Sequence, residues 1–318
     1  MGRILLTGAS GFVGGAVHEC LSRSSTRKLT IATRKPMPEM AASTIAALID
    51  QIDATTDWAP ILLDSEVVIH TAARVHVMNE SSLDPLASFR KVNVEGTLNL
   101  ARQAAASGVR RFIFISSIKV NGEETPLNIP FTADTEPAPV DPYGISKLEA
   151  EKGLMLIAAQ TAMEIVIIRP TLVYGPGVKA NFLSMMRWLQ KGIPLPFGAI
   201  CNQRSLVALG NLVDLIVTCI DHPKAANQIF LVSDGNDLST TELLKKMGRA
   251  LGRPARLLPV PSVILKCGAA LLGKKSLSQR LCGSLQVDIG KNRELLGWAP
   301  PISVDEALSI TAKSFVDK

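Results

Sequence analysis

The stretch that decides the fold is residues 3–17, RILLTGASGFVGGAV. Its apolar first part is typical of a buried parallel strand. Gly8, Gly11 and Gly14 follow, and the residues after them can form a helix. A tight turn from a strand into a helix needs residues without a Cβ, and it leaves N–H groups at the helix N-terminus that bind an anion. This order favours a loop that binds the pyrophosphate of a dinucleotide over an ordinary glycine-rich turn.

The composition fits a folded α/β protein that acts on a small molecule. The chain has 318 residues, which is long for one compact domain and predicts a large domain with a smaller lobe. Hydrophobic residues make up 47% and aromatic residues 4%, as in a packed α/β protein. The net charge of +6 comes from scattered positive residues, with no basic stripe interleaved with aromatic residues. We therefore expect an acidic small-molecule substrate and no nucleic acid partner.

The cysteines and apolar segments predict no metal site and no membrane span. The five cysteines include no CxxC pair and have no close histidine partner, so we expect thiols in a reducing compartment. Because the N-terminus is itself the first predicted strand, no signal peptide is expected and a cytoplasmic location is predicted. Residues 263–272 are apolar, but Lys266 interrupts them and they are too short to cross a bilayer. A buried or lid helix is favoured there over an interfacial one.

The end of the second predicted strand, residues 29–33, favours NADP(H) over NAD(H). In dinucleotide folds a carboxylate at this point binds the ribose 2′-hydroxyl, whereas a basic residue accepts a 2′-phosphate. Arg34 and Lys35 follow this strand directly, and no acid stands with them. The alternative is that both cations only begin a solvated loop.

Residues 67–73, VVIHTAA, predict a third strand that ends in small residues. Small residues let a cofactor approach the backbone closely. His70 could act as a base, but a lone histidine at a strand end is more often structural. Arg74 follows at the carboxyl edge of the strand, where ligands bind in open parallel sheets.

Two further segments place polar residues where chemistry is expected. Residues 85–106 predict a helix with Asn93 in its middle, where asparagine is unfavourable and so hints at a polar role. Residues 111–117 predict a strand that ends in the hydroxyl pair Ser116 and Ser117.

The next predicted helix opens at Asp141-Pro142, carries Tyr143 and Lys147, and runs to about Gln160. The two side chains lie four positions apart and therefore share one helix face. A phenol titrates near ~10, and a neighbouring ammonium lowers that pKa, which makes tyrosine a usable acid and base near neutral pH. A plain surface Tyr–Lys pair is the alternative. The glycine loop and the Ser116–Ser117 strand end make that alternative the weaker one.

Together these motifs resemble the extended short-chain dehydrogenases/reductases, in particular the nucleotide-sugar branch of the NAD-dependent epimerase/dehydratase family. The resemblance covers essentially the whole chain. It rests on residues 7–14, Ser117, Tyr143 and Lys147, and on the family-like stretches 165–170, 173–177, 203–214 and 296–300.

The resemblance implies an α/β fold with a Rossmann-like doubly wound parallel sheet and a smaller C-terminal substrate-binding lobe. The dinucleotide-binding domain would comprise residues 1–169 and 205–232. The nucleotide-sugar-binding lobe would comprise residues 170–204 and 233–318. By family analogy we expect a homodimer that forms through the helices carrying Asn93 and Tyr143.

The resemblance also implies the roles of three catalytic residues. Tyr143 would exchange the proton on the sugar hydroxyl or carbonyl oxygen, and Ser117, rather than Ser116, would hydrogen-bond to that oxygen. Lys147 would bind the nicotinamide ribose and lower the pKa of Tyr143. The expected cofactor-binding residues are Gly8, Ser10, Gly11, Phe12, Val13, Gly14, Arg34, Lys35, Gln51, Ile52, Thr71, Ala72, Ala73, Asn93, Tyr143, Lys147 and Pro170.

The expected contacts with the nucleotide sugar are spread over both parts of the chain. They are Arg74, Ser117, Lys119, Asn181, Phe197, Arg204 and Arg280. Arg204 is the first choice for the diphosphate, because a planar bidentate cation suits phosphate oxygens, and Arg280 is the second. Packing within the lobe is the alternative role for Asn181 and Phe197.

Three departures from the family pattern narrow the function. The 4,6-dehydratases carry an Asp-Glu pair after the catalytic hydroxyl, whereas this chain has Ile118 and Lys119, so dehydration is excluded. Gln51 stands where an adenine-contacting acid precedes Ile52. The acid that many NAD-retaining epimerases carry after the second strand is also missing.

These departures favour a reductase. Residues 117–122 and 280–288 resemble bacterial enzymes that reduce a UDP-4-keto-6-deoxy-N-acetylhexosamine at C4 for surface polysaccharides such as the lipopolysaccharide O-antigen. The alternative is a UDP-glucose or UDP-GlcNAc 4-epimerase that holds NAD tightly. A remote alternative is a dinucleotide-binding sensor without turnover.

Overall fold

The computed structural model describes residues 2–23, 27–36, 44–75, 84–271, 279 and 281–317. These residues form strands β1 (Arg3–Thr7), β2 (Leu29–Thr33), β3 (Thr44–Leu48), β4 (Ser65–His70), β5 (Arg111–Ile115), β6 (Glu164–Pro170), β7 (Leu172–Tyr174), β8 (Leu206–Ala208) and β9 (Gln228–Val232). They also form helices α1 (Phe12–Arg23), α2 (Ala59–Leu62), α3 (Pro85–Arg90), α4 (Thr97–Ala106), α5 (Pro142–Gln160), α6 (Ala180–Gln190), α7 (Leu209–Asp221), α8 (Thr240–Ala250), α9 (Ser262–Leu271), α10 (Gly290–Leu296) and α11 (Val304–Val316). A π-helical segment, Lys91–Gly96, joins α3 to α4, and short 3₁₀ helices cover Ile118–Val120 and Pro223–Ala225.

The main sheet has the order β3-β2-β1-β4-β5-β6-β9, and its neighbouring strands pair in parallel. The strand order reverses between β1 and β4, which is the place where doubly wound sheets bind ligands. Thr7 pairs with both Ala32 and His70, so the carboxyl ends of three strands meet at one edge. The predicted fold class is confirmed.

The buried side chains form three clusters. One cluster packs α1 and α7 against one face of the sheet, and a second packs α4 and α5 against the other face. The third joins α6, α8 and α11 outside the sheet and includes Tyr174 and Phe182. Leu206 of β8 belongs to this third cluster, whereas Trp298 packs with the first. The domain bounds at residues 170, 205 and 233 stay a prediction.

Helix α9 differs in part from its prediction. A buried or lid helix was favoured for this apolar segment. None of the residues Ser262–Leu271 is buried, so the buried alternative is wrong, and the lid alternative stays a prediction. The sequence predicts burial because the segment is apolar, whereas burial depends on what the tertiary fold places against it. Among the described helices, none has the length and apolar character that crossing a membrane requires.

Candidate active site

The glycine loop between β1 and α1 lies tightly against the end of β4. Gly8 has a φ of 78°, and a Cβ on it would lie 2.6 Å from the backbone nitrogen of Ala72. A Cβ on Gly14 would collide with the carbonyl oxygen of Gly8. The Gly11 N–H donates to that same oxygen at 2.8 Å and closes the turn before α1 begins at Phe12. Because a side chain would fill this cradle, the loop fits a pyrophosphate held against the first N–H groups of α1.

We expect Gly8→Ala to weaken dinucleotide binding at least about tenfold, because the new methyl group meets fixed backbone at a φ that strains any residue with a Cβ. Fluorescence titration with NADH and NADPH measures the loss. Gly15→Ala is the matched control, since a Cβ there meets only the Ala9 carbonyl oxygen, at 3.3 Å. Equal affinities of the two variants would contradict the cradle.

His70 has the contacts of a structural residue. Its Nδ1 lies 2.7 Å from the Thr7 hydroxyl and its Nε2 lies 3.0 Å from the Thr97 hydroxyl. The ring stacks on Phe114, with centroids 5.9 Å apart. Burial lowers the pKa of His70 to about 3, so the imidazole is neutral and ties β1, β4 and α4 together.

Asn93 joins the loop after β4 to helix α5. Its Nδ2 donates to the Arg74 carbonyl oxygen and to the Ser146 hydroxyl, both at 3.0 Å, and its Oδ1 accepts from the Arg74 N–H at 2.8 Å. The Ser146 hydroxyl in turn donates to the Tyr143 carbonyl oxygen at 2.8 Å. Asn93 lies in the π-helical segment, and such segments often occur at functional sites. These contacts give Asn93 a positioning role, and its predicted contact with the cofactor stays a prediction.

Ser117 lies just beyond the carboxyl end of β5. Its Oγ accepts from the Lys119 N–H at 3.2 Å and caps the 3₁₀ helix Ile118–Val120. The Lys119 ammonium pairs with Asp141, and with Glu123 at 3.2 Å. Asp141 caps the N-terminus of α5. The two ion pairs therefore fix residues 117–120, which we call the serine segment, against the start of that helix. The contact of Lys119 with substrate stays a prediction and would compete with the two carboxylates.

Helix α5 brings Lys147 to the end of β5. The Lys147 Nζ donates to the Ile115 carbonyl oxygen at 2.8 Å and lies 4.2 Å from the centre of the Phe114 ring. The same ammonium lies 6.0 Å from the centre of the Tyr143 ring. The structure therefore places the lysine, the tyrosine and the strand end before Ser117 in one small region.

The pKa values of this pair differ from the predicted pattern. Burial raises the pKa of Tyr143 above its ordinary value, and the charge of Asp141 raises it further. Burial also lowers the pKa of Lys147 to about 7, although Glu151 opposes this change. The predicted lowering of the tyrosine pKa by Lys147 is not found, because desolvation of the phenolate dominates.

Comparison with known proteins identifies the family. The NAD dependent epimerase/dehydratase family matches residues 4–233. The chain belongs to this family. The predicted family is therefore confirmed, and with it the dependence on a nicotinamide dinucleotide that the glycine loop fits.

Relatives of this epimerase/dehydratase family member include several epimerases. A protein of Vibrio cholerae named UDP-glucose 4-epimerase is 52% identical over 314 residues, which are 98% of this chain and 95% of that protein. The N-acetyl-alpha-D-glucosaminyl-diphospho-ditrans,octacis-undecaprenol 4-epimerase of Escherichia coli O157:H7 is 27% identical and covers 97% and 93% of the two chains. The UDP-glucuronic acid 4-epimerase of Bacillus cereus, solved in complex with NAD, superposes with a TM-score of 0.77 over 99% of both chains at 19% identity.

The other predicted cofactor-binding residues lie along the carboxyl edge of the sheet. Arg34 and Lys35 are exposed in a turn after β2, in which the Thr33 hydroxyl donates to the Lys35 carbonyl oxygen at 2.8 Å. Gln51 is exposed, and Ile52 packs closely against Gly96 of the π-helical segment. Pro170 ends β6. Direct contacts between these side chains and the cofactor stay predictions.

The predicted substrate-binding residues of the lobe lie on separate elements. Asn181 is exposed in the first turn of α6, and Phe197 is half-buried against the third cluster. The Arg204 side chain donates to the Gly283 carbonyl oxygen at 3.1 Å. Arg280 lies outside the described residues. The structure thus gives Arg204 a fixed position beside the segment that follows residue 280.

A buried ion pair beneath the site was missed by the sequence analysis. The Arg169 guanidinium and the Glu151 carboxylate lie 2.6 Å apart, and their side chains are only 2% and 3% exposed. The Ser116 hydroxyl donates to Glu151, and Arg169 donates to the Asn121 amide oxygen at 2.9 Å. The pair therefore links α5 and β6 to Ser116 and Asn121, the residues on either side of the serine segment. The sequence held one signal for this pair: Arg169 ends an apolar strand, and an arginine buried there requires a carboxylate partner.

Proposed function

We propose that the protein is a UDP-hexose 4-epimerase that acts on UDP-glucose or UDP-GlcNAc. The observation that carries this proposal is the 52% identity to a UDP-glucose 4-epimerase over 98% of the chain. This relative supports the epimerase alternative more than the C4 keto-reductase that the sequence favoured. The site residues are compatible with both reactions, because each needs a proton donor and acceptor at the same sugar oxygen.

The proposed roles are those that the family resemblance implies, and the position of Lys147 near Tyr143 and the end of β5 supports them. Tyr143 would accept the proton of the sugar C4 hydroxyl and return it, while the Ser117 hydroxyl would hydrogen-bond to the same oxygen. Lys147 would hold the ribose of the cofactor and place positive charge near the phenolate. A nicotinamide dinucleotide held by the glycine loop and Lys147 would supply reversible hydride transfer at the sugar C4.

The raised pKa of Tyr143 sets a requirement for this mechanism. Burial keeps the phenol protonated, so a base at this position needs nearby positive charge to offset the cost of the phenolate. Lys147, with a pKa of about 7, can supply such a charge when protonated. The positive charge of an oxidised nicotinamide would act in the same direction.

An assay with two kinds of substrate distinguishes the epimerase from the reductase. The protein is incubated with UDP-glucose or UDP-GlcNAc and, separately, with a UDP-4-keto-6-deoxy-N-acetylhexosamine and NADPH, and the products and the absorbance of reduced nicotinamide are followed. Conversion to the C4 epimer without net change of cofactor supports the proposal. Stoichiometric oxidation of NADPH with a UDP-4-keto-6-deoxy-N-acetylhexosamine, without epimerisation, would instead support the reductase. Cofactor binding without either turnover would support the non-catalytic sensor.

We also propose that Arg34 favours NADP(H) over NAD(H) through the 2′-phosphate. An epimerase regenerates its cofactor in every turnover, so either dinucleotide can serve the reaction. We expect Arg34→Ala to weaken NADPH binding about tenfold to a hundredfold, since a hydrogen bond to a charged group contributes ~1.5–3 kcal/mol, and to change NADH binding little. Fluorescence titration with each dinucleotide measures this. Arg102→Ala, which removes an exposed cation on α4, is the control, and an equal loss for both dinucleotides would refute the phosphate contact.

A second candidate substrate is an N-acetylhexosamine on a polyprenyl diphosphate. The Escherichia coli relative supports it by the substrate in its name, and the exposed apolar helix α9 supports it by offering a surface near which a lipid could lie. Both substrates share the sugar diphosphate that Arg204 is proposed to bind. Epimerisation of the lipid-linked sugar in detergent micelles, but not of UDP-GlcNAc, would identify this candidate.

The quaternary structure is a further proposal. A homodimer through the helices carrying Asn93 and Tyr143 rests on family analogy alone. Sedimentation equilibrium of the full chain tests it. A monomer at micromolar concentration would remove this proposal without affecting the assignment of the catalytic residues.

A further inference from the structure

Helix α9 presents its apolar side to solvent. Its outward residues follow the spacing i, i+1, i+4, i+7 and i+8, which is one face of a helix, and are Val263, Ile264, Cys267, Ala270 and Leu271. Val263 is 68% exposed, Ile264 60% and Leu271 89%. A helix at the surface of a folded protein normally turns such a stripe towards the core. We call the outward side of α9 the docking face.

The segment beside the docking face is also apolar at its surface. Residues 193–199 run alongside residues 256–261, where the Leu195 N–H donates to Arg256 and the Leu258 N–H donates to Leu195. Leu258 is 52% exposed and Ile193 is 40% exposed. The Ile193 N–H donates to the carbonyl oxygen of Trp188. The Trp188 side chain is exposed, whereas the side chains of Trp58 and Trp298 are buried.

Positive charge is concentrated in the segments that carry the docking face and adjoin it along the chain. Residues 243–287 contain no aspartate or glutamate but nine lysines and arginines, and residues 165–213 also contain no acid. The exposed cations on the described part of these segments include Arg187, Lys191, Arg253, Arg256 and Lys266. Lys266 lies at the border of the apolar stripe, where its long side chain can reach outward past the apolar residues. An apolar stripe with a basic border complements an anionic lipid surface.

We propose that the docking face binds an anionic lipid bilayer, with α9 lying flat in the headgroup region. The helix has 10 residues. At ~1.5 Å per residue these described residues cover about 15 Å, against ~30 Å for the hydrocarbon core, so a position within the interface fits them better than a span. This inference goes beyond the proposed epimerase and does not depend on it.

A second copy of the chain fits the docking face less well than a bilayer does. Two docking faces in contact would bring the two basic borders together, and like charges at an interface disfavour association. A bilayer with anionic headgroups meets both the apolar stripe and its border. Arg253 and Arg256 are exposed on the same segment that leads into α9, so they add to the positive charge close to this helix in the chain.

Co-sedimentation with lipid vesicles tests the proposal. The full-length protein is mixed with vesicles of phosphatidylcholine, or of phosphatidylcholine with a third of phosphatidylglycerol, at low and high salt. We expect binding to the anionic vesicles at low salt and at least about tenfold weaker binding to neutral vesicles or at high salt, because screening removes the charge contribution. Absence of binding to the anionic vesicles overturns the proposal.

Matched double variants show whether α9 carries the binding. Val263→Ser/Ile264→Ser should weaken binding at least about tenfold, since two apolar side chains no longer enter the interface. Ile310→Ser/Val316→Ser removes two exposed apolar side chains from another helix, α11, and should leave binding unchanged. Circular dichroism confirms that both variants fold. Equal binding of the two variants overturns the proposal, and so does a change of oligomeric state in the α9 variant alone, which would make the face a contact between copies.

Discussion

Replacing Tyr143 by phenylalanine is expected to lower kcat for 4-epimerisation of UDP-glucose by about a thousandfold, within the ~10²–10⁴ range of general acid–base catalysis. The phenylalanine ring can keep the edge contact that Tyr143 makes with Phe89, where the centroids lie 6.0 Å apart. Lys147 also keeps its hydrogen bond to the Ile115 carbonyl oxygen, which does not involve the phenol. The loss should therefore be chemical rather than structural.

Binding and turnover must be measured separately in this variant. Titration calorimetry with UDP should give an affinity close to that of the wild type, while single-turnover kinetics should show the slow chemical step. A variant that keeps more than about a tenth of the wild-type kcat would contradict the role of Tyr143 as acid and base, because even the lower limit for general acid–base catalysis is ~10². Loss of UDP binding would mean that the hydroxyl has a structural role.

The chain offers a matched control, because it contains only two tyrosines. The Tyr174 hydroxyl is buried in the lobe and donates to Asp234 at 2.8 Å. Tyr174→Phe removes the same atom and should leave kcat within about twofold, but it should cost ~1.5–3 kcal/mol of the free energy of unfolding, because the lost hydrogen bond is to a buried carboxylate. Equal kinetic effects of the two variants would point to a general consequence of losing a buried hydroxyl.

The sequence predicted those parts of the fold that depend on local pattern. The strand and glycine loop up to Gly14 have the required residues next to each other, so their order alone predicts β1, the turn and α1. Helix α5 was predicted close to its observed bounds, Pro142–Gln160, because an Asp-Pro pair marks its start. The shared helix face of Tyr143 and Lys147 follows from helical periodicity in the same way.

The features that the sequence did not predict depend on tertiary burial. The direction of the Tyr143 pKa change is set by desolvation, which is known only once neighbouring elements are placed. Helix α9 looks like a core segment because its composition is apolar, yet the fold leaves it exposed. The partnership of Glu151 with Arg169 joins a helix to a strand, and a single sequence does not reveal which helix face meets which strand residue.

Breaking the Glu151–Arg169 pair is expected to be the most destabilising change in the site. Glu151→Gln leaves the Arg169 charge buried without its carboxylate, which costs ~3–5 kcal/mol of the free energy of unfolding when one partner of a buried pair is removed. Both side chains are almost fully buried, so solvent cannot replace the lost partner. Urea denaturation measures the effect.

The Glu151 carboxylate also raises the pKa of Lys147. In Glu151→Gln this pKa should therefore fall further, and the alkaline limb of the pH profile of kcat should move to lower pH.

Two variants give this prediction its controls. Glu149→Gln removes a carboxylate from the same helix, where Glu149 pairs with Arg90 at the surface and the two side chains are 32% and 46% exposed. Such a pair contributes ~0–1 kcal/mol, so this variant should unfold nearly as the wild type does. Glu151→Leu/Arg169→Met removes both buried charges and should recover most of the lost stability, because no uncompensated charge remains. If Glu151→Gln costs no more than Glu149→Gln, the buried pair does not support the fold. If the double variant recovers stability but not kcat, the pair acts on catalysis and not only by keeping the chain folded. It would then act by fixing the serine segment through Ser116 and Asn121 and by raising the pKa of Lys147.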